Sequence, residues 1–292
     1  MFIILGATGH VGSALAQSLL DRSLPVTAVL HDDRRTADWE RRGAQVAVVD
    51  ARDSDALREV LRTGTRAFLL NPPADVASDT DQEELATATS IISALDGSGL
   101  EKVVVESTFG AQPGEAMGDL SVLHAFEQAA LAQRIPVTIQ RGAYYFSNWD
   151  AQLEEARQGA LTTMFPPDLK IPMVAPADLG RAAADRLVEP FNGDTDLHLV
   201  EGPDRYSVRD VADAFTSALG RSVEVRTLPP GKWVEAYRKL GFSQPAAKSY
   251  AAMTRDTING GRRGKTLSRG TSLSYTVALR SSPWNWMRVT AR

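Results

Sequence analysis

Residues 6–12 read Gly6-Ala7-Thr8-Gly9-His10-Val11-Gly12, between the apolar run Phe2–Leu5 and a segment that carries Val11, Leu15 and Leu19 at helical spacing. This order dictates a strand, a tight turn and a helix. Gly6 then permits the sharp exit from the strand, Gly9 lets a pyrophosphate approach the backbone, and Gly12 lets the helix pack closely on the sheet. The N–H groups and the positive dipole end of the helix start would face the phosphates. The stretch therefore predicts a dinucleotide site built on Gly6, Thr8, Gly9, His10, Val11 and Gly12. A tight turn that binds nothing is the bland alternative.

Outward from this loop the same rhythm continues. Phe2–Leu5, Val26–Leu30, Gln45–Val49, Ala67–Leu70, Lys102–Glu106 and Val137–Arg141 each read as a short strand, with helical patterns between them. Continuous β-branched runs are what strands buried on both faces look like. Six repeats of strand and helix predict an α/β fold of the Rossmann type, a doubly wound parallel sheet. After about residue 150 the rhythm changes. Gly159–Pro176, with four prolines, reads as loop; Ala177–Val188 and Ser207–Leu219 read as helices, the latter stopped by Gly220. Leu197–Val200 and Ser222–Leu228 read as strands and Gly231–Leu240 as helix. The expected division is a dinucleotide-binding domain over residues 1–150, with 174–200 returning to it. Residues 151–173 and 201–261 would form a smaller, α-rich C-terminal substrate lobe.

Composition narrows the chemistry. The 292 residues include no cysteine, which removes thiolate catalysis, disulfides and cysteine-ligated metals. The four histidines have no metal-ligand spacing, so no metal site is expected. No run approaches the ~20 apolar residues of a membrane span, and Phe2–Leu5 is too short for a signal peptide; a cytoplasmic protein is the expectation. The net charge of −4 conceals an asymmetry. Residues 262–292 hold seven basic and no acidic side chains, so the preceding 261 carry −11. That body excludes a nucleic-acid partner, which needs a basic face. The basic tail, with Trp284 and Trp286, reads as a docking tail, a membrane-surface contact or a disordered end, the last being preferred.

Several segments together resemble the NmrA-like family of atypical short-chain dehydrogenases. These are the glycine loop, Val103–Ser107 with Thr108-Phe109-Gly110, Glu127 on a helix, and Val137–Gly142 ahead of Tyr145, Phe146 and Asn148. Asp178-Leu179-Gly180 and Glu201-Gly202-Pro203 complete the pattern, over roughly residues 1–260. The resemblance implies binding of NADP(H) or NAD(H). Some members reduce quinones or related electrophiles, and others bind the cofactor as redox sensors without efficient turnover.

Cofactor choice is set after the second strand, at Leu30-His31-Asp32-Asp33-Arg34-Arg35. A cation there holds a 2′-phosphate, whereas a carboxylate accepts from a 2′-hydroxyl. The family carries Arg where His31 stands and a further basic residue near Arg35, so NADP(H) is preferred over NAD(H), with Arg34 also in reach. Asp32 and Asp33 would instead serve a NAD ribose, and a solvated turn is the plain alternative. By the same resemblance Asp50 and Ala51 face the adenine, while Asn71-Pro72-Pro73, ending the fourth strand, should pass the ribose and nicotinamide by topology; ordinary strand-end turn chemistry is the plain alternative.

The Tyr-xxx-Lys pair of many short-chain dehydrogenases is missing, because the helix that should carry it reads Leu120–Glu127 without either residue. His124 stands where related reductases keep a lysine. It would be a proton donor or a donor to the cofactor ribose, with Glu127 three residues on raising its pKa; the bland reading is a helix histidine paired with Glu127. Ser107 and Thr108, ending the fifth strand, are placed to contact nicotinamide or a substrate carbonyl. Phe109, Tyr144, Tyr145, Phe146 and Trp149 read equally as a wall for a flat apolar substrate and as core. These residues predict an NAD(P)H-dependent oxidoreductase acting on a quinone or similar small electrophile, as monomer or homodimer. A redox sensor with a protein partner is the alternative, and sugar-nucleotide epimerisation is disfavoured by the missing tyrosine base.

Overall fold

The computed structural model describes residues 1–190 and 195–260, together with the backbone of one further strand at 272–277. In chain order the elements begin with β1 (Phe2–Ile4), α1 (His10–Asp21), β2 (Val26–Leu30), α2 (Thr36–Arg41), β3 (Gln45–Val48), α3 (Ser54–Leu61), β4 (Arg66–Leu69) and α4 (Thr80–Leu95). They continue with β5 (Lys102–Thr108), α5 (Asp119–Leu131), β6 (Val137–Gly142), β7 (Tyr144–Tyr145), α6 (Leu153–Arg157), β8 (Ala160–Thr163), β9 (Ile171–Val174) and α7 (Pro176–Val188). The last are β10 (Thr195–Glu201), β11 (Arg205–Tyr206), α8 (Val208–Leu219), β12 (Glu224–Thr227), α9 (Trp233–Lys239), α10 (Gln244–Ile258) and β13 (Ser272–Val277).

The main sheet runs β3-β2-β1-β4-β5-β6-β10-β13 and every pairing in it is parallel. This is the doubly wound architecture that the strand and helix alternation predicts. Its order reverses between β1 and β4, so the ligand crevice lies outside the carboxyl ends of the strands at that point. One core packs α1 and α7 against one face through Val11, Leu15, Leu19, Leu179 and Leu187. A second packs α3, α4 and α5 against the other through Leu57, Ile91, Leu95 and Phe126. Each such side chain contributes about 1.5–3 kcal/mol by leaving water, which explains why β2 is buried at all five positions.

Close approach between α1 and α7 depends on Gly180. A Cβ there would stand 2.6 Å from the Val11 carbonyl oxygen. The far end of α7 is fixed from the sheet. Arg66 Nη1 donates to the Leu187 and Val188 carbonyls at 2.6 and 2.8 Å, and Lys102 Nζ donates to the Arg186 carbonyl. Cations thus occupy the negative end of the helix.

The smaller lobe has its own core of Phe146, Trp149, Leu161, Met173, Val211 and Phe215. Here the structure corrects the sequence reading. The proline-rich stretch 159–176 holds two strands: β8 pairs with β12, and β9 pairs with β7 and β11. Helix α10 was not legible in the sequence; it opens on a Ser243 cap with Pro245 in its first turn. Helix α8 has the expected Ser207 start, as a capping box with Asp210, and ends on Gly220 at φ 66°. The basic tail, residues 262–292, lies outside the described residues except at Ser272–Val277, a strand that pairs with β10. Among the described residues no helix is long and apolar enough to cross a membrane.

Candidate active site

The glycine loop leaves β1 through Gly6, whose φ of +69° favours glycine, and Gly9 N–H donates back to the Gly6 carbonyl at 2.9 Å. Gly12 has no room for a side chain, since a Cβ would meet the Gly6 oxygen at 2.3 Å. Helix α1 starts on Gly9 without any side-chain cap, and Thr8, Gly9 and His10 are exposed in front of it while Val11 is buried behind. A helix start whose N–H groups have no protein partner is a receptor for phosphate oxygens.

The loop after β2 closes on this one. Arg35 Nη1 donates to the Thr8 carbonyl at 2.9 Å. Arg34 is turned the other way, pairing with Asp32, whose carboxylate also accepts from Arg34 N–H at 3.0 Å. These two hydrogen bonds from Arg34 hold Asp32 down at a pKa of about 2. Asp32 and Arg34 therefore satisfy each other, while His31 stays exposed beside them. Of the basic residues singled out by sequence, the structure brings Arg35 to the glycine loop and leaves Arg34 in an exposed pair. After β3, the exposed Asp50 accepts from Arg52 N–H at 2.9 Å, next to the half-buried Ala51.

At the end of β4, Asn71 Nδ2 donates to the Glu84 carbonyl at 3.1 Å, and the buried Asn71 Oδ1 has no partner among the described residues. Pro72 and Pro73 carry the chain outward to Ala74, whose N–H donates to Glu84 Oε1 at 3.0 Å. Burial, together with the nearby Asp119 and Asp81, pushes Glu84 up to about 7 against the pull of that N–H. An orphaned acceptor at the end of β4 and an uncapped helix at the end of β1 both fit a dinucleotide lying across the crevice.

Beyond β4 the site is built from buried side chains. Ser107 Oγ donates to Glu127 Oε1 at 2.5 Å, and Arg141 grips the same carboxylate through Nε at 2.7 Å and Nη2 at 2.6 Å. Ser107 has one proton to donate. With Glu127 holding it, Ser107 acts as acceptor toward any ligand and cannot polarise a substrate carbonyl. Thr108 is half-buried next to it. The histidine expectation needs correction. His124 Nδ1 lies 4.0 Å from Glu127 and has no hydrogen-bond partner among the described residues. Its pKa is lowered, because burial and the Arg141 charge outweigh the pull of Glu127.

On the opposite face of β5, Glu106 is buried under β6. Gln140 Nε2 donates to its Oε2 at 2.8 Å, and the Tyr145 hydroxyl lies 3.2 Å from its Oε1, donating when the acid is ionised. Burial raises Glu106 to about 8 despite both contacts. The aromatic stripe divides. Phe146 and Trp149 are buried in the lobe core, so they are not an open wall. Phe109 and Tyr145 are partly buried against the sheet core, and Tyr144 stacks with Trp149 and Phe165 at 5.7 and 5.8 Å. Sequence reading missed Glu84, Glu106 and Asp119. The signal for Glu106 was a charged residue directly continuing the apolar run Val103-Val104-Val105; Glu84 and Asp119 gave none. Among the described residues no set of three histidine or acidic side chains gathers as for a metal.

A doubly wound sheet with a glycine loop at its switch point and a second lobe over the strand ends defines the class of dinucleotide-binding dehydrogenase-like proteins. Within it, the chain belongs to the NmrA-like family, which matches residues 1–257. Among its relatives is NAD(P)H azoreductase of Xenophilus azovorans, 23% identical over 247 residues, 85% of this chain and 84% of that protein. In fold it is similar to an Escherichia coli NADPH-dependent quinone oxidoreductase complexed with NADPH, with TM-score 0.76 and 21% identity over 89% of this chain and 90% of that one. It is likewise similar to the Citrobacter triphenylmethane reductase complexed with NADP(H), with TM-score 0.73 and 19% identity over 91% and 92%.

Proposed function

We propose that this protein is an NAD(P)H-dependent oxidoreductase, with NADP(H) preferred, that passes hydride to a quinone, an azo compound or a similar small apolar electrophile. The carrying observation is the uncapped start of α1 behind the exposed Thr8–His10, with Arg35 drawn to the Thr8 carbonyl. Relatives that act on azo compounds and quinones support the substrate class.

The bound nicotinamide supplies the hydride. Gly6, Gly9, Gly12 and the first N–H groups of α1 would hold its pyrophosphate, Arg35 with His31 the 2′-phosphate, Asp50 and Ala51 the adenine side, and Asn71 Oδ1 a donor group of the ribose or carboxamide. Ser107 offers lone pairs beside it. Substrate would lie under the smaller lobe, between Phe109, Tyr144 and Tyr145. The β5–α5 side favours an acceptor that takes hydride without prior protonation, because Ser107 and Arg141 are both spent on Glu127 and His124 is pushed toward its neutral form.

The test is NADPH and NADH binding by calorimetry, with cofactor oxidation followed against quinones, azo compounds and enones. Turnover of at least one class with tighter NADPH binding is expected. Binding without turnover would leave a cofactor sensor and overturn the reductase reading.

A further inference from the structure

We propose that Tyr145 and Glu106 form a proton relay in which Tyr145 protonates the reduced product and Glu106 refills Tyr145. The inference rests on the reductase reading above and supplies what the missing tyrosine and lysine pair leaves open. Reduction of a quinone or an azo bond by hydride leaves a negative charge on an oxygen or nitrogen, and that atom must gain a proton.

The geometry assigns the proton atom by atom. Gln140 Nε2 donates to Glu106 Oε2 at 2.8 Å and to the Leu179 carbonyl at 3.1 Å, which fixes Oε2 as an acceptor. The acidic proton of Glu106 then belongs on Oε1, the oxygen 3.2 Å from the Tyr145 hydroxyl. Gly142 makes the space, since a Cβ there would crowd Oε1 at 3.2 Å. No cation pairs with Glu106 among the described residues: its hydrogen-bond partners are Gln140 from β6 and Tyr145. Burial without a counter-charge keeps such a carboxyl protonated, in line with its rise to about 8. A protonated Glu106 donates to the Tyr145 oxygen, so the Tyr145 O–H is free to turn toward the strand ends. Burial opposes ionisation of Tyr145, and the Asp119 carboxylate from the start of α5 adds to this. Tyr145 lies just past the end of β6, and its hydroxyl lies beside Glu106, two residues before the end of β5.

In the step, the Tyr145 O–H bond breaks as the anionic product atom takes its proton. Tyr145 oxygen takes the Oε1 proton of Glu106, and the Glu106 carboxylate regains a proton from water once product leaves. One hydride and one proton are consumed, and Tyr145 ends unchanged. Glu106 acts through Tyr145 and never touches the substrate.

The experiment compares the full-length protein with Glu106→Gln and Tyr145→Phe. In the unaltered protein kcat on a quinone should decline as pH rises through about 8. Each variant should lower kcat at neutral pH at least tenfold and abolish that decline, within the range of positioned acid catalysis. Infrared spectra at pH 7 should show a protonated-carboxyl band that Glu106→Gln removes and Tyr145→Phe shifts. A lowered rate with the decline preserved assigns a packing role and overturns the relay, as does an infrared band unaffected by Glu106→Gln. An unaltered protein that turns over no quinone or azo compound overturns the reductase reading and the relay with it.

Discussion

At the glycine loop the crevice is lined by backbone, with Gly9 N–H on the Gly6 carbonyl and the bare start of α1 facing outward. Toward the ends of β5 and β6 the sheet instead carries two sets of buried side chains: Ser107, Glu127 and Arg141 on one face, Glu106, Gln140 and Tyr145 on the other. In the proposed function the first end would meet the pyrophosphate, which is the same in every dinucleotide, so fixed amides would suffice. The second must suit one acceptor and handle a proton, and only side chains offer that variety. Breaking the two ends should therefore have different signatures: loss of cofactor binding at the first, loss of stability and proton handling at the second.

The largest effect is expected at Glu127. It is fully buried and Arg141 is 3% exposed, so Glu127→Ala leaves a buried guanidinium without its carboxylate, a loss of about 3–5 kcal/mol. Replacing both, as Glu127→Leu with Arg141→Met, should recover most of it, because an apolar pair carries no desolvation cost. Urea unfolding of the unaltered protein and the two variants checks this. If the double variant is no more stable than Glu127→Ala, the pair is not the source of the loss.

Gly12→Ala comes next. A Cβ 2.3 Å from the Gly6 oxygen forces the loop and α1 apart, costing about 1–3 kcal/mol as overpacking. NADPH binding should vanish with it, whereas Glu127→Ala at low temperature should retain binding. This contrast also explains what the sequence disclosed. The glycine loop was legible because backbone demands leave a local signature: Gly6 for its φ, Gly12 for its missing Cβ. The Ser107–Glu127–Arg141 and Glu106–Gln140–Tyr145 sets were not, because each joins residues 14 to 39 positions apart through strand register that only the folded sheet supplies. For the same reason the sequence points from Glu127 to its near neighbour His124, which lies 4.0 Å away, and gives no sign of Arg141, which grips the same carboxylate. Helix α10 and the strands β8 and β9 escaped because Pro245 in the first turn of the helix, and Pro166, Pro167, Pro172 and Pro176 in and around the strands, imitate loop.

Glu106 gives the third effect, through pH. Its folded pKa of about 8 lies above the ordinary 4.5, so between those values the native state keeps a proton that the unfolded chain has released. The resulting stability is fully present below about pH 4.5 and is lost as pH rises through 8; Glu84, raised to about 7, acts with the same sign. Glu106→Gln cannot release a proton, so its stability should fall less steeply, by at most about 1.4 kcal/mol per pH unit in that window. From pH 6 to 7.5 the two proteins should thus diverge by up to about 2 kcal/mol in urea midpoints converted to free energy. Parallel curves would mean that Glu106 is ionised in the fold.

The smallest effect is confined to the first end and concerns which dinucleotide it takes. Arg35 already reaches the Thr8 carbonyl, while Arg34 is neutralised by Asp32, so the two neighbouring arginines should not be equivalent. Arg35→Ala should weaken NADPH about tenfold relative to NADH, about 1.4 kcal/mol, and adding His31→Ala should narrow the remaining gap. Arg34→Ala should change the ratio less than Arg35→Ala, since Arg34 is exposed and already neutralised by Asp32. The Arg35 contribution should shrink with added salt, as expected for an exposed charge facing a phosphate. Equal losses for both cofactors in Arg35→Ala would mean that Arg35 only braces the loop. Selectivity would then belong to the backbone, and the contrast between an end made of amides and an end made of side chains would extend to cofactor choice as well.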